Sequence, residues 1–198
     1  MVRDAAATRT RILDAAVHEF SRLGLSGARI DRIAELSGSN KRMIYVYFTD
    51  KEGLFAATLE KVVGDLVTEV PITEDDLPAY AGALFDYLLV HPDALRLTMW
   101  RQLERPEAGP EAAAVYTEKV AALHRSTSLM APGRTIPPTD LLVLVQGMAG
   151  AWLISPPDLL TADGSDPSDP ARIATHRAAL VEAVRLLTHD PSDDGDPR

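Results

Sequence analysis

Ser37-Gly38-Ser39-Asn40-Lys41-Arg42-Met43-Ile44-Tyr45-Val46-Tyr47-Phe48-Thr49-Asp50-Lys51 is the stretch from which the rest of this chain can be read. A short amphipathic segment with Ile30, Ile33 and Ala34 precedes it. Ser37-Gly38-Ser39 then has the composition of a turn that ends one helix and starts another at a steep angle. The pattern predicts a helix-turn-helix. In its second helix Ile44 and Phe48, four residues apart, form the stripe that holds the helix to its domain. Lys41, Arg42, Tyr45 and Tyr47 offer donors and flat rings. A helix so equipped fits the major groove of duplex DNA, where each base pair shows a distinct pattern of donors and acceptors.

The neighbouring residues supply the frame. Residues 8–23 place Ile12, Leu13, Ala16, Val17 and Phe20 on one helix face, and Gly24 is expected to end that helix as a C-cap. Residues 29–36 make the first helix of the motif, with Arg29 at the end that points toward the DNA backbone. Arg9 and Arg11 are either phosphate contacts or charges on a solvated helix end. Ser39 or Asn40 caps the reading helix, and Thr49 or Asp50 the next one, with Glu52 as a possible capping-box partner of Thr49. Lys51 falls in the first turn of that next helix, where the dipole disfavours a cation; an outside anion such as a DNA phosphate would account for it. The helix runs on to Val70, where Pro71 closes it.

From Thr8 to Val62 the chain resembles the TetR family of transcriptional repressors. The resemblance is carried by Arg11-Ile12-Leu13-Asp14-Ala15-Ala16, Phe20, Gly24, Ile33-Ala34, Gly38, Ile44-Tyr45-Val46-Tyr47-Phe48 and Lys51-Glu52-Gly53-Leu54-Phe55. Three positions depart from the family's habit. Ser39 stands where a valine usually packs the turn, Ala28 where a threonine usually caps the second helix, and Arg42 where glycine is frequent. The resemblance implies an all-α, two-domain homodimer that reads an inverted-repeat operator and responds to a small apolar or amphipathic ligand. Arg29, Asn40, Lys41, Arg42, Tyr45, Tyr47 and Lys51 are the expected DNA-binding residues.

Charge is divided unevenly. The chain of 198 residues has a formal net charge of −9. Residues 1–64 carry ten Lys or Arg against eight Asp or Glu, a net of +2, and residues 65–198 carry ten against twenty-one, a net of −11. A locally basic head suffices to attract phosphate, while the acidic remainder discourages binding elsewhere on the surface. With no cysteine, disulfides, thiolate metal sites and a cysteine nucleophile are excluded. The first residues lack the apolar core of a signal peptide. The longest apolar stretch, residues 141–154, is interrupted by Gln146 and is shorter than the ~18 residues a membrane span requires. A cytoplasmic protein is expected.

The expected organisation is a helix-turn-helix domain over residues 1–50, a connecting helix over 51–70, a helical regulatory and dimerisation domain over 71–190, and a disordered acidic tail over 191–198. Helices are predicted at 74–91, capped by Thr73 with Glu74, Asp75 and Asp76 at its start, and at 93–104, 111–129, 139–154 and 170–188, with a loop at 155–169. Phe85, Met99, Trp100, Leu103, Tyr116, Met148 and Trp152 are candidates for lining a ligand pocket, although bulky apolar residues at helical spacing also make ordinary core. The helix over 139–154 is apolar nearly all round, and with 170–188 it is expected to form the dimer interface through Gly147, Gly150, Ala151, Ile173, Leu180 and Val184. Five scattered histidines, no Gly-rich phosphate loop and no catalytic motif leave neither a metal, a cofactor nor an enzymatic reaction to expect. The alternative function is a helical interaction protein whose helix-turn-helix reads no DNA.

Overall fold

A computed structural model describes residues 2–72, 76–105, 110–125 and 136–188. Its helices are α1 (Val2–Gly27), α2 (Ile30–Ser37), α3 (Lys41–Phe48), α4 (Lys51–Glu69), α5 (Leu77–Val90), α6 (Pro92–Glu104), α7 (Pro110–Arg125), α8 (Pro138–Ile154), α9 (Pro157–Leu160) and α10 (Pro170–Thr188). No strand occurs among the described residues. The expected acidic tail, like the segments over 73–75 and 126–129, lies outside them.

Two compact units emerge. The first comprises Met1–Glu69 and His91–Ala113, the second Val70–Val90 and Ala114–Arg198. The first break falls within one residue of the boundary expected at 71, but residues 91–113 group with the first unit, because α6 packs along α1 rather than joining the helices that flank it in sequence. In the first unit Ile12, Leu13, Ala16 and Phe20 of α1 meet Leu54, Phe55 and Val62 of α4 in the core, and Phe20 meets Phe55 edge to face with ring centroids 5.0 Å apart. In the second, α5 is buried on nearly every side and packs on α8 and α10.

The helical backbone breaks at Gly24, as expected. At φ 68 and ψ −177 it is non-helical, a conformation open to a residue without a Cβ, and a short second stretch runs on to Gly27. Space demands glycine as well, since a Cβ there would stand 2.6 Å from Cε3 of Trp100. The α1 helix also starts earlier than expected, at Val2. Over 155–169 the short α9 interrupts the expected loop. Its acidic residues are turn formers: Asp163, Asp166 and Asp169 each accept the backbone N–H two residues ahead.

Candidate nucleic-acid interface

The α2–α3 turn is built by backbone hydrogen bonds. Gly38, at φ 61 and ψ 27, donates its N–H to Glu35 O, and Ser39 donates to Ala34 O at 2.9 Å. These are the paired bonds of a Schellman ending, which satisfy the last carbonyls of α2. Asn40 then caps α3, its Oδ1 accepting the Arg42 N–H at 2.9 Å. Ile44 and Phe48 are buried and fix the helix, so the other face is left to solvent.

On that face Lys41, Arg42 and Tyr45 are exposed, and Tyr47 is half-buried with its ring tilted against Phe48. Val46 is 67% exposed and Met43 also reaches solvent, neither of which was expected to matter. Exposed apolar groups on a reading helix suit the methyl of thymine. Their signal in the sequence was only their place opposite Ile44 and Phe48.

Lys41 is paired across the motif with Asp31, Nζ to Oδ1 at 2.8 Å. A hydrogen bond and the charge of Lys41 hold the Asp31 carboxyl below its ordinary range, and Asp31 raises Lys41 in return. The pair is exposed, so it is readily exchanged for a phosphate. Arg9 lies over the Phe48 ring, 5.2 Å from its centroid, and Arg11 bonds Thr8.

Arg29 is the N-cap of α2, and its side chain makes no capping bond. The buried Glu19 of α1 supports this helix start in another way. Its Oε1 accepts the Arg29 N–H at 3.0 Å, while Oε2 stands 3.7 Å from Nε of Arg32.

Lys51 reaches back to the corner between α1 and α2. Its ammonium donates to Ala28 O at 3.2 Å and Ser26 O at 3.4 Å, carbonyls at the end of α1. These two carbonyls give the ammonium the acceptors that the start of α4 denies it. Glu104 of α6 closes the same corner by accepting the N–H groups of Leu25 and Ser26. Burial works against its charge, but the bonds from Ser26 and Leu25 and the nearby Lys51 outweigh it and hold the carboxyl below its ordinary value.

At the α3–α4 junction Thr49 adopts φ 67 and ψ −57, and Asp50 donates its N–H to Phe48 O at 2.7 Å. This is a γ-turn in its strained, left-handed form. Asp50, not Thr49, caps α4, taking the Gly53 N–H at 2.7 Å. Glu52 pairs with Arg105 instead of completing a capping box. A Cβ on Gly53 would lie 2.3 Å from Phe48 O, so this glycine is what lets α4 start so close behind α3.

The expected ligand residues divide between the units. In the first, Met99, Trp100 and Leu103 line an open cleft of about 440 Å³ with Ser21, Arg22 and Arg96. Trp100 is committed to packing there, its Nε1 donating to Ser21 O at 3.1 Å and its ring lying against Gly24. In the second, Phe85 and Trp152 flank His176, with centroids 5.4 and 4.6 Å away, Met148 is half-buried and Tyr116 is exposed.

The expected dimer residues also divide. Gly150, Leu180 and Val184 are buried in the subunit's own core, because they lie on the faces of α8 and α10 that close the bundle. Gly147 is exposed, and Ala151 and Ile173 are half-buried. Beside Gly147 on α8 the exposed apolar residues are Val143, Leu144 and Ile154.

Among the described residues no helix is long and apolar enough to cross a membrane, and no three His, Cys, Asp or Glu residues group as metal ligands.

Comparison with known proteins agrees with this geometry. The profile of bacterial regulatory proteins, tetR family, matches residues 12–58, and that of the tetracyclin repressor-like C-terminal domain matches residues 76–185. The HTH-type transcriptional repressor SCO4008 of Streptomyces coelicolor is 39% identical over 184 residues, 89% of this chain and 95% of the relative. The HTH-type transcriptional repressor NicS of Pseudomonas putida is 35% identical over 105 residues, half of each chain. Among solved structures, the putative transcriptional regulator SCO4942 of Streptomyces coelicolor superposes with a TM-score of 0.80 at 36% identity, covering 93% of this chain and 99% of that one. With both of its halves matched and a repressor aligned along nearly its whole length, the chain belongs to the TetR family of transcriptional regulators.

Proposed function

We propose that the chain acts as a homodimeric repressor that places α3 in the major groove at each half of an inverted-repeat operator. A small molecule taken up by the second unit then releases it. The observation that carries this reading is the polarity of α3, with Ile44 and Phe48 buried beneath it and Lys41, Arg42, Tyr45 and Val46 facing out. Membership of the family makes the chain a ligand-responsive, DNA-binding transcriptional regulator. Arg42 and Lys41 are assigned to base edges, Tyr45 to base or phosphate, Tyr47 and Arg29 to phosphate, and Asn40 to the cap that aims them. Lys51 is assigned to holding the α1–α2 corner. We assign no reaction to the helical bundle, and its place of action is the cytoplasm, where the operator lies.

The test is to recover the genomic fragments the protein retains and to measure binding across a salt series. Arg42→Ala is expected to cost ~1–3 kcal/mol on the preferred sequence and little on random DNA. Lys51→Ala should lower the unfolding midpoint and leave the salt slope intact. A slope reduced by about one unit would return Lys51 to a phosphate. Equal retention of all fragments by wild type would sink the operator reading.

A further inference from the structure

Lys119 of α7 is buried, only 6% exposed, and its one partner among the described residues is a phenol. Nζ donates to the hydroxyl oxygen of Tyr80 on α5 at 3.2 Å, and Tyr80 is itself 2% exposed. The ring centroid is 5.5 Å from Nζ, so the cation sits toward the hydroxyl rather than close over the ring face, and the ring quadrupole compensates it little.

An ammonium has three N–H groups and no acceptor, and only one of the three is used here. The Tyr80 oxygen accepts that bond and keeps its own hydrogen to give. Two N–H groups and one O–H are therefore left over at this buried place, and no carboxylate pairs with Lys119 among the described residues. Buried unpaired ammonium groups are among the costliest features a core can hold. The neighbouring turns are apolar. Leu77 and Leu84 stand three before and four after Tyr80, Leu123 stands four after Lys119, and all three are buried. Tyr116, one turn before Lys119, reaches solvent.

We propose that Lys119 and Tyr80 form the acid-binding end of the effector site, and that the effector is an amphipathic carboxylate. The inference rests on the reading of the second unit as the regulatory one. A single positive charge with a few convergent donors matches a monoanion with two oxygens, whereas a phosphate dianion would need more cation than is present. The flanking leucines fit an apolar body.

Straight-chain carboxylates from butanoate to dodecanoate, the alcohols and amines of equal length, and the full-length protein make the test, read by calorimetric titration and thermal unfolding. At least one carboxylate is expected to bind, and its alcohol and amine to bind more weakly. Lys119→Met should lose affinity for that acid by roughly ten- to a hundredfold and Tyr80→Phe by less. Lys119→Met should also unfold at or above the wild-type temperature without ligand, as removal of an unpaired charge requires. Carboxylates that bind no better than their alcohols, no binding by any acid, or an acid response preserved in Lys119→Met would each overturn the proposal. Release from retained operator fragments, followed by anisotropy, separates this from the regulatory reading. If alcohols or amines release DNA and acids do not, regulation stands and the acid site falls. If an acid binds through Lys119 without releasing DNA, the site stands and release falls.

Discussion

Ser39 carries an unmet hydrogen bond inside the reading head. Its backbone completes the Schellman turn, but its Oγ is buried with no partner. Leaving a buried hydroxyl unsatisfied costs about 1–3 kcal/mol, so a side chain without the oxygen is better suited to the place. Ser39→Ala is expected to raise stability by about 1 kcal/mol, seen as a higher urea midpoint at unchanged slope. A lower midpoint would show that the hydroxyl is satisfied in solution. Residues that act on their near neighbours were legible in the sequence. Asn40 caps a helix that starts at the next residue, and Gly38 ends one that has just closed. Lys51 and Glu19 were not, because their partners come from elsewhere in the chain. The carbonyls that hold Lys51 lie 25 and 23 residues away, and Glu19 serves a helix start ten residues on. The dipole argument marks Lys51 as a cation in need of an acceptor, and the fold supplies two backbone carbonyls for it.

Helices were legible by period, since buried positions such as Ile12, Ala16 and Phe20 recur at one face. Which helices meet was not. Nothing local to α6 says that Trp100 will find Ser21 and Gly24, because an apolar face is complementary to many others. The α10 helix shows how an element's packing creates a titration. His176 is held between Trp152 and Phe85, its Nε2 is buried without a partner, and Arg172 lies over the Trp152 ring at 4.9 Å. Burial first, and the Arg172 charge second, push the imidazole below its ordinary value of 6.5. With a folded value below the unfolded one, the unfolded chain binds more protons between the two. The stability His176 contributes is then complete above about pH 6.5 and is lost as pH falls through the folded value. His176→Phe should flatten this loss, measured as the difference between urea midpoints at about pH 5 and about pH 7.5. An unchanged difference would mean that carboxylates elsewhere set the acid limit.

For the whole molecule the question is how a head carrying few base contacts becomes selective, and symmetry answers it. A second copy doubles the phosphate and base contacts and demands two half-sites at a fixed spacing. The helix α8 offers a surface for that copy. Val143, Leu144, Gly147 and Ile154 recur on one exposed face, while Val145, Ala149 and Trp152 turn into the bundle. Glycine at 147 is unforced by the subunit, since a Cβ there would meet nothing within 4 Å. Gly147→Arg therefore adds bulk and charge that the isolated fold can accept and a close helix pairing cannot. Gly150→Arg would instead enter the subunit's own core and should unfold it, which makes position 147 the sharper probe. The expected product of Gly147→Arg is a folded monomer by circular dichroism and light scattering. Its binding should be weak, its salt slope about half that of wild type, and its preference for an inverted repeat over a single half-site gone. A Gly147→Arg protein that remains dimeric would move the interface off this face of α8. A monomer that still prefers the inverted repeat would show that the two heads cooperate through DNA rather than through the bundle.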